Sequence, residues 1–228
     1  MAETITIERR YRGPEESGNG GYTCGAVAAL LDAPAAEVTL RLPPPLESRL
    51  RVERDGDGLR VLDGDRLVAE AHPLDGIDVE PPAPVPFDEA EGGEADPKHP
   101  FPSCFVCGPA RSPGDALRLL PKAVGEGRVA AAWRPTKEQA GRRELVWAAL
   151  DCLGAFAVDP GLERGVSVLG RLAAQVLDTP RPDERCVVLG WPLPGGEGRK
   201  LFAGTAVFGE DGRLLGKARA TWILLNPE

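Results

Sequence analysis

Apolar and polar residues alternate through TITIERRY (residues 4–11), and a period of two predicts a strand with one buried face. Behind it, four glycines fall within the eight residues of GNGGYTCG (18–25), and an apolar run reaches Leu31 before Asp32-Ala33-Pro34 stops it. The run is almost entirely Ala, Val, Leu and Cys, which predicts a helix buried on most sides. Short alternating segments follow, EVTLRL, SRLRVERD, GLRVLD and RLVAEAHP, with DGDG and DGD between them. These read as strands joined by tight turns.

The order then repeats. ALRLLPKAVGEGRVAAAWRP (116–135) predicts a hairpin turning at GEG, and RRELVWAALDCLGAFAVDP (142–160) predicts one apolar helix closed by Asp-Pro. Four further strand-like segments run to the end of the chain, beginning with GVSVLGRLAAQVLD (165–178). Between the two series, PPAPVPFDEAEGGEADPKHP (81–100) is rich in Pro and acidic residues and has no periodicity, so it reads as a linker, partly extended and exposed. The expected organisation is a first unit at 1–75, a linker at 76–100 and a second unit at 101–228. One helix cannot cover both faces of such a sheet, but a curved sheet can wrap it. Two such sheets pairing edge to edge give an α+β fold with an internal repeat.

Composition narrows the function. The net charge is −8 and no basic run stands out, which argues against a general nucleic-acid binder. No apolar stretch approaches a membrane span and the N-terminus lacks a signal core, so a cytoplasmic protein with no membrane partner is expected. Five cysteines do not make a disulfide framework. Cys24, Cys152 and Cys186 sit in apolar surroundings, as small buried hydrophobes do. Cys104 and Cys107 form one C-x-x-C, with His99 as a candidate third ligand and no fourth nearby. That falls short of a zinc set, so the expectation is a tight turn with no metal and no cofactor. Residues 18–23 miss the last Gly of a dinucleotide fingerprint. With no G-x-S-x-G elbow and only His72 and His99, both beside prolines, a Ser-His-Asp hydrolase is not expected.

Three stretches carry a family resemblance. FPSCFVCGPARSPGDALRL is similar to the Cys-Phe-x-Cys-Gly-Pro-x-x-x-Pro-x-Gly-x-x-Leu segment that opens many bacterial PaaI-like thioesterases. NGGYTCGAVAALLD looks like their His-Gly-Gly helix start, with Asn19 in place of His. LVWAALDCLGAFA looks like the body of the same helix in a second copy, with Asp151 where the family keeps its carboxylate, and GVSV looks like the strand that follows. The chain therefore resembles the hotdog-fold acyl-CoA thioesterases. The resemblance implies a double hotdog: two antiparallel sheets, each wrapped around a central buried helix.

The resemblance also implies a division of labour. In the family, backbone N–H groups at the Gly-Gly helix start of one unit face the thioester oxygen, where the helix dipole favours developing negative charge. The partner unit supplies a mid-helix carboxylate as nucleophile or general base. Here Gly20 and Gly21 would be the oxyanion donors, Asn19 would contact substrate, Asp151 would be the carboxylate and Ser167 an assisting hydroxyl. Eight residues after Gly20 stands Ala28, whereas Arg143 and Glu144 stand where the second helix should have its glycines. Each half thus keeps what the other lacks, and one asymmetric site per chain is expected, with an acyl-CoA or acyl-carrier-protein thioester as substrate. A non-catalytic acyl-CoA-binding or scaffold protein is the alternative, and a homodimer of such chains is compatible with either. The plainer account of Asp151 is that it faces solvent or pairs with an Arg such as Arg171.

Overall fold

The computed structural model describes residues 3–225. Eleven strands form one continuous sheet, every named strand pair antiparallel. In chain order they are β1 (Thr4–Ile5), β2 (Ala35–Leu40), β3 (Leu50–Asp55), β4 (Gly58–Asp63), β5 (Arg66–Leu74), β6 (Lys122–Ala123), β7 (Val129–Trp133), β8 (Ser167–Val176), β9 (Cys186–Leu193), β10 (Lys200–Phe208) and β11 (Leu214–Leu224). The helices are α1 (Gly20–Ala28), α2 (Phe87–Ala90), α3 (Arg143–Ala149) and α4 (Leu153–Val158). Across the sheet the order is β1-β3-β4-β5-β2-β8-β11-β10-β9-β7-β6. Outward from the centre, each half runs the same way: the strand after its helix, then the last strand, then the preceding ones in reverse.

The two halves thus meet edge to edge in one continuous sheet. The join is the antiparallel pairing of β2 with β8, with Ala36 opposite Ala174 and Val38 opposite Leu172. Arg171 on β8 donates to Thr39 Oγ1 at 2.9 Å and pairs with Glu37 at 3.3 Å, so its partners lie across this seam and not at Asp151. Edge-to-edge union closes two exposed ladders that would otherwise template association.

Helices α1 and α3 pack against each other on one face of the sheet. Glycine is a poor helix former, and α1 contains three glycines; two of them make the crossing close. A Cβ on Gly21 would lie 2.5 Å from Asp151 Cβ and 2.7 Å from the Trp147 carbonyl oxygen, and one on Gly25 would lie 2.7 Å from Trp147 Cβ. Bare backbone at these two positions lets the helices approach to contact.

Four stretches depart from their sequence patterns. TITIERRY forms a strand only at Thr4–Ile5, then tightens into a 3₁₀ turn at Arg9–Tyr11. That turn brings Tyr11 onto Tyr22 of α1, with ring centroids 3.8 Å apart. The predicted second helix is two. After α3 the chain shifts to i−3 bonding at Asp151, whose N–H reaches the Ala148 oxygen at 3.2 Å, and α4 starts at Leu153. Thr205 on β10 donates its hydroxyl to the Leu150 carbonyl at 2.7 Å, giving the interrupted helix end a partner. The 116–135 hairpin is short, because Leu117 and Leu119 donate instead to the carbonyls of Phe105 and Val106. The linker does not hang free: Val79 and Ala90 are buried in a second apolar cluster with Leu189 and Trp191, and Arg134 and Arg185 stack over Phe87 at 4.6 Å. Among the described residues no helix is long and apolar enough to cross a membrane.

Thr205→Val removes the donor to Leu150 while keeping the shape. Chemical denaturation should show a loss of about 1–3 kcal/mol, the range for a buried carbonyl left unpaired, with the sheet signal in circular dichroism unchanged.

Candidate active site

Asn19 caps α1: its Oδ1 accepts from Tyr22 N at 2.8 Å. Its own backbone N–H reaches the Tyr11 oxygen at 2.8 Å, so the residue is held from both sides. The remaining amide donor, Nδ2, reaches Asp151 Oδ2 at 2.8 Å. Gly21 N–H donates to the same oxygen at 2.9 Å. The helix break sets Asp151 at this point, 2 % exposed, facing the start of α1 across the helix crossing. The second helix has no such start. Its N-cap is Arg142, which makes no capping bond and donates instead to Tyr11 Oη at 3.0 Å and to Glu144.

Asp151 Oδ1 is buried and has no hydrogen-bond partner among the described residues. Burial pushes the Asp151 carboxyl up to about 7, against the Gly21 N–H, with the Cys104 sulfur adding to the rise and the Asn19 amide opposing it. A carboxyl in that range can give and take a proton near neutrality.

A cavity of about 530 Å³ opens beside this contact. Asn19, Gly20, Asp151 and Ser167 line it together with Phe101, Leu169 and Trp222. Four of the five residues expected from sequence thus line one cavity. Gly21 does not line it, its N–H being given to the carboxylate, whereas Gly20 N–H has no partner among the described residues. Ser167, 6 % exposed, opens β8. The equivalent place in the other half is a cavity of about 180 Å³ lined by Ala28, Arg143 and Trp147, with neither a glycine pair nor a carboxylate. A further cavity of about 350 Å³ under α2 holds none of these residues.

The structure adds one residue that sequence spacing could not place. The sulfurs of Cys104, Cys107 and Cys152 lie within 4.8 Å of one another, and those of Cys104 and Cys152 are 3.8 Å apart. Cys152 reads in sequence as a lone apolar-flanked cysteine, and nothing there links it to a turn some fifty residues earlier. His99, the candidate third ligand, is not in this cluster: its Nδ1 accepts from Phe101 N at 3.1 Å and its ring lies beside Phe156.

No protein-family model matches the sequence, and no curated protein matches it. Solved structures do. A candidate thioesterase from Novosphingobium aromaticivorans superposes with a TM-score of 0.64 at 15% identity, covering 98% of this chain and 95% of that one. A hot dog fold protein of unknown function from Alicyclobacillus acidocaldarius gives 0.63 at 13%, covering 99% and 93%. A candidate thioesterase II from Thermobifida fusca gives 0.61 at 13%, covering 98% and 92%. At such identities the likeness defines a fold: this is an α+β hotdog protein over nearly its whole length.

Two consequences can be measured. Gly21→Ala puts a methyl into Asp151 and the Trp147 carbonyl, and denaturant titration should register a loss of roughly 1–3 kcal/mol, as for other overpacked cores. Asp151 gives stability a pH dependence. Its native carboxyl titrates at about 7 against an ordinary 3.8, so between those values the native chain holds a proton that the unfolded chain has released. Stability therefore falls as pH rises from about 4 to about 7. Asp151→Asn cannot titrate and should flatten this part of the curve. Unfolding midpoints at about pH 5 and about pH 8, with reductant and chelator present, would show it.

Proposed function

We propose that this chain is a double hotdog that hydrolyses an acyl thioester, carried on coenzyme A or on an acyl-carrier protein, at one asymmetric site between its halves. The observation that supports the reading most directly is the 2.9 Å contact of Gly21 N–H with Asp151 Oδ2. It joins the glycine helix start of one half to the carboxylate of the other. In this reading the thioester enters the 530 Å³ cavity with its acyl group along Phe101, Leu169 and Trp222. Its carbonyl oxygen meets Gly20 N–H at the positive end of α1, where the charge of the tetrahedral intermediate is favoured.

Asp151 takes a proton from water as the water oxygen bonds to the carbonyl carbon. Collapse of the intermediate breaks the C–S bond, and the proton passes to the departing sulfur. In the alternative route Asp151 attacks the carbonyl carbon itself, the thiolate leaves, and water then hydrolyses the acyl-Asp151 anhydride. The sum is thioester plus water giving carboxylic acid plus thiol. Gly21 N–H and the Asn19 amide orient the carboxylate through Oδ2, leaving Oδ1 for the proton. Ser167, which lines the same cavity, assists through its hydroxyl.

A second reading, a hotdog that binds acyl-CoA without cleaving it, is favoured by one observation. Gly21 N–H, one of the two expected oxyanion donors, is already bonded to Asp151.

Turnover of a panel of acyl-CoA thioesters by Asp151→Asn separates the two. Loss of a general base should lower kcat by about 10²–10⁴-fold, with KM little changed and the fold intact by circular dichroism. Equal turnover by variant and parent removes Asp151 from the reaction. Binding without turnover by the parent chain supports the second reading.

A further inference from the structure

The three clustered cysteines are not needed for the hydrolysis just described. Cys104, Cys107 and Cys152 are all buried, and their sulfurs lie within 4.8 Å of one another. A tetrahedral zinc ion with bonds of about 2.3 Å to sulfur sets its thiolates about 3.8 Å apart. The Cys104–Cys152 separation is 3.8 Å.

The surrounding groups are those that thiolates need. In the C-x-x-C turn, Val106 N–H points at Cys104 Sγ at 3.4 Å. Gly108 N–H closes the turn onto the Cys104 carbonyl at 2.9 Å. A Cβ on Gly108 would lie 2.4 Å from that carbonyl oxygen, so the turn can close only around glycine. The Phe105 and Val106 carbonyls accept from Leu117 and Leu119, which clamps the turn from outside. Asn19 Nδ2, besides its bond to Asp151, lies 3.8 Å from Cys104 Sγ and 3.9 Å from Cys152 Sγ. N–H donors converging on sulfur stabilise the charged form and orient the ligands. Asp151, Cys104 and Cys152 also share the wall of the 530 Å³ cavity, which supplies access from solvent and room for a fourth ligand.

We propose that Cys104, Cys107 and Cys152 bind a thiophilic divalent cation, with zinc the best match to three thiolates in this geometry. Binding exchanges three thiol protons for the cation, and the fourth position is taken by water from the cavity. The cation ties the turn at 104–107 to the start of α4. It thus fixes the wall against which Asp151 sits. Cys24 and Cys186, buried outside the cluster, take no part.

The site does not depend on the thioester reading, and its test reads metal and not turnover. The full chain, purified under reductant and dialysed against zinc and then metal-free buffer, should retain about one zinc per chain by elemental analysis. Loaded with cobalt, it should show a thiolate-to-cobalt charge-transfer band and the intense visible bands of a tetrahedral site. Cys107→Ser should weaken zinc affinity by roughly 100-fold or more, while Cys186→Ser retains it. Zinc should also protect Cys104, Cys107 and Cys152 of the parent chain from alkylation, mapped by mass spectrometry, a measurement that needs no variant to fold. Reduced parent chain that holds no zinc above background overturns the proposal. So does Cys107→Ser that binds as well as the parent, or alkylation indifferent to zinc.

Discussion

Helices α1 and α3 meet backbone to backbone. At Gly21 and Gly25 helix α1 has no side chain to hold α3 away, so the start of one helix lies against the middle of the other. That contact places a backbone N–H within 2.9 Å of a carboxylate from the other half of the chain. A helix start is a favourable place for negative charge, which is why a buried acid can be kept there with only two donors on one oxygen. Without the crossing, Asp151 would be an uncompensated buried group, and its burial would be hard to account for.

The carboxylate is held but not satisfied. Its Oδ2 has Asn19 and Gly21, whereas Oδ1 has no partner among the described residues. Full satisfaction would draw its pKa down to the ordinary carboxylate range, and complete desolvation without donors would keep it protonated at neutrality. The intermediate state leaves it able to exchange a proton. The break between α3 and α4 belongs to the same arrangement. It stops the helix beside Asp151 and hands the Leu150 carbonyl to Thr205, so that the strand below supports the turn on which the acid sits.

The asymmetry of the two halves follows from the same contact. Arg142 and Arg143 at the start of α3 replace the Asn-Gly of α1, and Ala28 replaces the acid. The corresponding cavity is about a third of the size, 180 Å³ against 530 Å³, and is lined without acid or bare helix start. One half therefore carries the bare helix start and the other the acid that meets it, and the shared sheet, sealed by β2 against β8, joins the two.

Much of this was legible in the order of residues. Period-two strands, two all-apolar helix runs and their repetition are local properties, and so pointed to an α+β fold with doubled elements. Gly20, Gly21 and Asp151 stood out because glycine at a helix start and an acid in an apolar run both go against local preference. Other features were beyond local reading because they depend on contacts distant in sequence. Tyr11 turns inward to stack on Tyr22, ending a strand that its alternation would continue. The second helix breaks where Thr205 donates its hydroxyl to the Leu150 carbonyl. The acidic linker docks because Val79 and Ala90 find an apolar sheet face beneath them. Cys152 joins Cys104 and Cys107 only when helix and turn meet. The sequence by itself determined which residues could do chemistry. Tertiary structure decided which of them meet, because hydrogen bonds and sulfur clusters act over a few ångströms, and only packing brings distant residues that close.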